Sequence, residues 1–159
     1  MAQVEELQQD PIAQRLRALD PQSVAEVIEF RGERTLVVPR AHLLLVARTL
    51  RDDPELRFTF LSDIAAVDRY PVEPRFELNY HLLSIPRKDV LRIRVRVHAA
   101  DPTVHSVIPV WPTANWLERE IFDLFGIHFE GHPDLRRLVL PDDWDGHPLR
   151  KDYLTTGPR

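Results

Sequence analysis

Two stretches of strict period two constrain this chain more than anything else in it. Phe76, Leu78, Tyr80 and Leu82 alternate with Arg75, Glu77, Asn79 and His81, and Leu91, Ile93, Val95 and Val97 alternate with Arg92, Arg94, Arg96 and His98. Successive side chains of a strand point to opposite faces, so each stretch predicts a strand with one apolar and one polar face. Pro86-Arg87-Lys88-Asp89 lies between them and joins the pair into an antiparallel hairpin, with one face on a core and the other polar. Phe58 to Leu61 predicts a neighbouring strand.

Around this hairpin the pattern is mixed. Asp10-Pro11 reads as an N-cap and first helical residue, with Ile12, Leu16 and Leu19 at helical spacing behind it. Val24 to Val38 predicts two short strands around Arg31-Gly32-Glu33, and Ala41 to Leu50 predicts a helix ended by Asp52-Asp53-Pro54. A chain of 159 residues with 14 prolines against 5 glycines suits one domain with rigid connections. The expected fold class is α+β: a mostly antiparallel sheet with helices packed on one face and an extended C-terminal arm. Residues 1–115 form the α+β domain in this reading, and residues 116–159 a helix followed by the arm.

Composition removes several function classes. There is no cysteine, which excludes disulfides, thiolate zinc sites and cysteine-ligated iron–sulfur clusters. The net charge is −4, with the acidic excess in the C-terminal part, the wrong sign for a nucleic-acid partner. The longest clean apolar run, Leu43 to Ala47, is far short of a membrane span, and Met1 to Glu6 has no basic segment before an apolar one. The expectation is a soluble protein on the cytosolic side.

Candidate chemistry concentrates after residue 115. Asn115 is placed to cap a helix beginning at Trp116, with Glu118 reaching back as in a capping box and Gly126 at a left-handed C-cap. Spacing at 100° per residue puts Leu117, Ile121, Leu124 and Phe125 on one face, and Arg119, Glu120 and Asp123 on the other. Glu118 falls among aromatics. Such a carboxylate is bonded to local backbone, paired with Arg136 or Arg137, or left with a raised pKa suited to proton chemistry.

Two Gly-His-Pro tripeptides follow, Gly131-His132-Pro133 and Gly146-His147-Pro148. Gly allows φ > 0 and Pro keeps the preceding His out of the helical region, so these tripeptides dictate a backbone path. His128, His132 and His147 with Asp145 also permit a metal-dependent enzyme, although no two ligands share a helical face. Structural hydrogen bonds to backbone are the preferred reading of these histidines. No serine stands in a nucleophile elbow and no glycine-rich phosphate loop is present. Asp142, Asp143 and Asp145 read as a solvated turn. Arg136-Arg137 and Arg150-Lys151-Asp152 suit bidentate contacts with partner carboxylates, and an arm this poor in periodic apolar residues orders most easily against another protein.

Taken together these spacings carry a resemblance. Glu118-Arg119-Glu120, then Asp123, Leu124-Phe125-Gly126, His132-Pro133, Arg136-Arg137 and Leu138-Val139 resemble the signature of the 30 kDa subunit family of respiratory complex I. Leu61-Ser62-Asp63, Arg75 to Leu82, Trp111, Ala114 to Trp116 and Gly146-His147-Pro148-Leu149-Arg150-Lys151-Asp152 are similar to that family too. The resemblance implies an accessory subunit of the peripheral arm, bound to the 49 kDa-type subunit beside the quinone-reducing region. These signature residues would be its partner-binding elements. It implies no cofactor in this chain, with FMN and Fe–S clusters in partner subunits that pass electrons from NADH to quinone and couple this to proton translocation. Membrane association would come only through the complex, on the cytoplasmic side of the inner membrane. Related subunits serve membrane-bound hydrogenases and dehydrogenases with other donors. Many relatives continue beyond the position of Asp152 with a longer tail or are fused to the 49 kDa-type subunit, and this sequence ends at Arg159.

Overall fold

A computed structural model of the chain describes residues 9–155; the Met1 to Glu6 segment read above and the last four residues of the arm lie outside them. The first helix, α1 (Pro11–Leu19), starts as the sequence predicts: the Asp10 carboxylate accepts hydrogen bonds from the amides of Ile12 and Ala13 at 2.9 Å, and Pro11 occupies the first helical position. Strands β1 (Glu26–Phe30) and β2 (Glu33–Val37) form an antiparallel hairpin whose two turn residues, Arg31 and Gly32, both have positive φ. That backbone matches the twist of a two-residue hairpin loop. A 3₁₀ turn at Arg40–His42 leads into α2 (Leu43–Asp52), which buries Leu43, Val46, Ala47 and Leu50.

The predicted central hairpin is β4 (Phe76–Ser84) with β5 (Asp89–Val97), antiparallel from Phe76 opposite Val97 to Ser84 opposite Asp89. The strand expected at 58–61 is displaced and much longer: β3 runs Phe60–Asp68, antiparallel to β4, with a register irregularity between Leu61 and Asp63. The sheet order is β1-β2-β5-β4-β3, and β2 meets β5 in parallel. Phe76, Leu78, Tyr80, Leu82, Leu91, Ile93, Val95 and Val97 line the core face and share one core with residues of all three helices. A two-stranded parallel ladder, β6 (Thr103–His105) with β7 (His128–Glu130), flanks the third helix, α3 (Ala114–Phe125).

The opposite face of the sheet is polar, yet it is less open than alternation alone suggests. Glu77 and Asn79 are buried because guanidinium groups from β5 lie over them: Arg94 Nε is 3.0 Å from Glu77 and 3.1 Å from Asn79 Oδ1, and Arg96 Nε is 3.3 Å from Glu77. Arg92 pairs with Glu33 on β2. Long arginine side chains thus roof the face with their own stems and satisfy its carboxylates. Among the described residues no helix is long and apolar enough to cross a membrane.

Candidate functional site

The signature residues converge where α3 meets the arm. The helix begins earlier than the sequence predicts, at Ala114, with Thr113 before it and no side-chain cap. Asn115 therefore lies inside the first turn, and Glu118 is not a capping-box residue. Nor does it reach Arg136 or Arg137. Glu118 points beneath the helix, wholly buried, where Oε2 accepts from the Ser106 hydroxyl at 2.6 Å and Oε1 accepts from the Val107 amide at 2.7 Å. Burial pushes its pKa up to about 7 against the pull of those two donors.

Asp123 corrects a second expectation. Helical spacing puts it on the solvated face with Arg119, but the arm folds back over that face and buries it completely. Its Oδ2 accepts from three consecutive amides, Leu138, Val139 and Leu140, at 3.0, 2.7 and 2.9 Å, while Oδ1 accepts from Arg137 at 2.7 Å. Arg137 also donates to the carbonyls of Trp144 and Gly146, so one guanidinium gathers the arm onto the helix. Arg119 stacks over Trp116 and donates to the carbonyls of Arg136 and Arg137.

Gly126 ends α3 in the left-handed region, at φ 70°, as its position predicts. The site is also sterically reserved: a Cβ there would sit 2.5 Å from the His147 ring and 2.7 Å from Arg150. His147 Nδ1 donates to the carbonyl of Asp123 at 2.8 Å. His132 Nδ1 accepts from the Asp134 amide, which leaves its Nε2–H to donate to the carbonyl of Asn115 at 3.2 Å. Both Gly-His-Pro histidines thus bond backbone, each pinning one arm segment to α3. His128 stands apart, exposed on β7, and among the described residues no three His, Asp or Glu side chains are arranged to hold a metal ion. The metal constellation of His128, His132, His147 and Asp145 is not assembled, because the first three are spent on different parts of the surface and the backbone.

The far end of the arm closes on the sheet. Arg150 donates to the carbonyl of Phe125 at 2.6 Å and lies over the Phe76 ring. Asp152 pairs with Arg75, which also grips Asp68 through two bonds of 2.9 and 2.8 Å, and the Lys151 amide donates to that same Asp68. The arm thus packs on its own domain through polar contacts instead of an apolar core. Arg137, Arg150 and Asp152 make these contacts inside the chain, whereas Glu120, Pro133, Arg136 and Lys151 face outward, Arg136 beside Asp134. Leu138, Val139, Leu149 and Trp116 are exposed around them. Sequence reading missed Asp68, Ser106 and the clamp role of Arg75, since each acts across more than ten residues or through the returning arm and no local spacing announces it.

Comparison with known proteins adds a family. Residues 36–159 match the family described as the respiratory-chain NADH dehydrogenase 30 Kd subunit. An NADH-quinone oxidoreductase subunit of Geotalea uraniireducens (strain Rf4) is 49% identical over 144 residues, covering 91% of this chain and 87% of that protein. Its counterpart in Roseiflexus sp. (strain RS-1) is 48% identical over 141 residues, 89% and 81% of the two chains. Among solved structures, the trypsin-resistant fragment of Nqo5 superposes with a TM-score of 0.61 at 33% identity, covering 80% of this chain and 99% of that one. One chain of the membrane-bound sulfane sulfur reductase, an archaeal respiratory membrane complex, shares the fold, with a TM-score of 0.73 at 24% identity over 93% and 86%.

Proposed function

We propose, from the premise that this chain belongs to the 30 kDa subunit family of respiratory-chain NADH dehydrogenase, that it is an accessory subunit without a cofactor of its own. Its role is to support the peripheral arm of a proton-translocating NADH-quinone oxidoreductase. Electrons pass from NADH through FMN and Fe–S centres of the partner subunits to quinone, and this chain docks to the 49 kDa-type subunit near the quinone site. It reaches the cytoplasmic side of the inner membrane as a peripheral part of that complex. The observation that carries the reading is the division of labour in the arm. Arg137, Arg150 and Asp152 hold its path from inside, which leaves Arg136, Lys151, Leu138, Val139 and Leu149 presented outward on a fixed scaffold. Exposed apolar side chains on an ordered frame suit a protein interface. A chain with no cysteine has no thiolates to ligate a cluster, which agrees with a supporting role.

The test is assembly. A strain carrying the double variant Leu138→Asp, Val139→Asp is expected to lose most of the assembled enzyme on native gels, together with NADH-quinone activity, while the purified variant chain keeps the wild-type circular dichroism. Normal assembly with that variant would reject docking through the arm.

A further inference from the structure

Buried carboxylates are tolerated when a cation or a full set of donors compensates them. Glu118 has neither. None of its side chain reaches solvent, and it has two donors, the Ser106 hydroxyl and the Val107 amide. No charged side chain among the described residues pairs with it, from its own helix, from the sheet or from the 106–111 segment. Among the described residues, the titratable group that interacts with it is Tyr80 on β4, itself fully buried, with a hydroxyl that has no hydrogen-bond partner and a pKa pushed well up by burial and by Glu118. Neutral Tyr80 cannot stabilise an anion by charge, so the protonated acid is the form this environment accepts.

The position of the group gives its protonation a mechanical meaning. Ser106 and Val107 open the turn that feeds α3: the Ser106 hydroxyl accepts from the Ile108 amide, and the Val107 carbonyl accepts from the amides of Val110 and Trp111 at 2.9 Å each. Glu118 sits one turn into α3 and ties that helix back to this turn. The same helix holds Asp123 and leads into Gly126, on which the arm rests. We propose that Glu118 is a proton-binding site and latches α3 to the 106–111 turn, keeping its proton while the latch is closed and releasing it when the latch opens.

Linkage fixes the sign and size. The closed latch holds the proton up to about pH 7 and a solvated glutamate only to about 4.5. Opening is therefore insensitive to pH below about 4.5, grows about tenfold per pH unit up to about 7, and is flat above, a gain of roughly 300-fold in all. The purified full-length chain tests this in two ways. With ¹³C-labelled glutamate, the Glu118 carboxyl resonance is expected to titrate with a midpoint near 7, to vanish in Glu118→Gln, and to move to still higher pH in Ser106→Ala, which loses a donor to the anion. Amide exchange at Val107, corrected for base catalysis, is expected to accelerate across pH 5 to 7 in the wild type and to stay level in Glu118→Gln. A midpoint in the ordinary glutamate range, or Val107 exchange that follows the same pH course in both proteins, would overturn the proposal.

Discussion

The carboxylate of Asp123 lies 2.7 Å from the guanidinium of Arg137, fourteen residues further along the chain, and none of the Asp123 side chain reaches solvent. Its second oxygen collects the amides of three successive residues, so a single helical side chain dictates the backbone of the arm from Leu138 to Leu140. Burial pushes this carboxyl's pKa up, but the amides of Leu140, Val139 and Leu138, with Arg137, leave it below the usual range.

Asp123→Asn is nearly isosteric yet leaves the Arg137 charge uncompensated and puts an amide donor against other donors. Removing one partner of a buried pair costs about 3–5 kcal/mol. Urea unfolding monitored by circular dichroism is expected to show a loss of that order, and a change under about 1 kcal/mol would mean that the arm does not depend on this contact.

Gly126 and Gly131 both have positive φ, at 70° and 79°, but only at Gly126 would a Cβ meet other atoms within 4 Å. An alanine in the left-handed region costs about 1–2 kcal/mol on backbone grounds alone. Gly131→Ala is expected to show that cost and no more. Gly126→Ala must also displace His147 and Arg150, so its melting temperature should fall further and its arm should become the first site of tryptic cleavage. Equal melting temperatures for the two variants would contradict the steric argument.

Arg150→Ala removes the bond to the Phe125 carbonyl and the stacking over Phe76. Limited proteolysis is expected to cut the arm sooner while the sheet domain stays resistant. Lysine should rescue little, because it lacks the planar fork that reaches the carbonyl while lying on the ring. Wild-type protease resistance in Arg150→Lys would show that charge alone suffices.

Asp68 carries an acid-sensitive part of the stability. Burial raises its pKa, but Arg75 together with the amides of Lys151 and Tyr70 brings it down to about 2, against 3.8 in an unfolded chain. A carboxyl depressed in the folded state contributes stability that is complete above the unfolded value and is lost as pH falls through the folded one, so this contribution fades between about pH 4 and pH 2. Its size is about 2 kcal/mol. Unfolding free energy measured from pH 5 down to 2 should lose this slope in Arg75→Met, and an identical slope in both proteins would exclude Asp68 as its source.

How much of this was readable depended on distance along the chain. The β4–β5 hairpin, the Asp10 cap and the Gly126 terminus each rest on neighbours within a few residues, and the sequence shows all three. Asn115 misled because a capping residue type one turn from a proline is compatible with two helix starts, and packing of Ala114 and Trp111 in the core selects the earlier one. That shift is enough to turn Glu118 from a local cap into a buried group. The burial of Asp123 was invisible for another reason: a helical wheel knows which residues are polar, but not that a later segment will return to cover them. His132 and His147 were legible as structural, whereas their two carbonyl partners, Asn115 and Asp123, were not, and the ring of His128, exposed on β7, makes no such bond among the described residues.

The parallel seam between β2 and β5, Thr35 opposite Arg92 through Val37 opposite Arg94, carries a consequence for how the domain is built. Each hairpin closes over a short loop, but the seam joins strands with α2 and two further strands between them in sequence. Contacts of such long sequence separation slow folding because a large loop must close before they return any stabilisation. The two hairpins are therefore expected to form early and separately, and the rate-limiting event to be their meeting. Conservative substitutions such as Ile93→Val, at the seam, should slow folding as well as speed unfolding, while equivalent changes within β1, whose hairpin is already formed at that point, should slow folding and leave unfolding nearly unchanged.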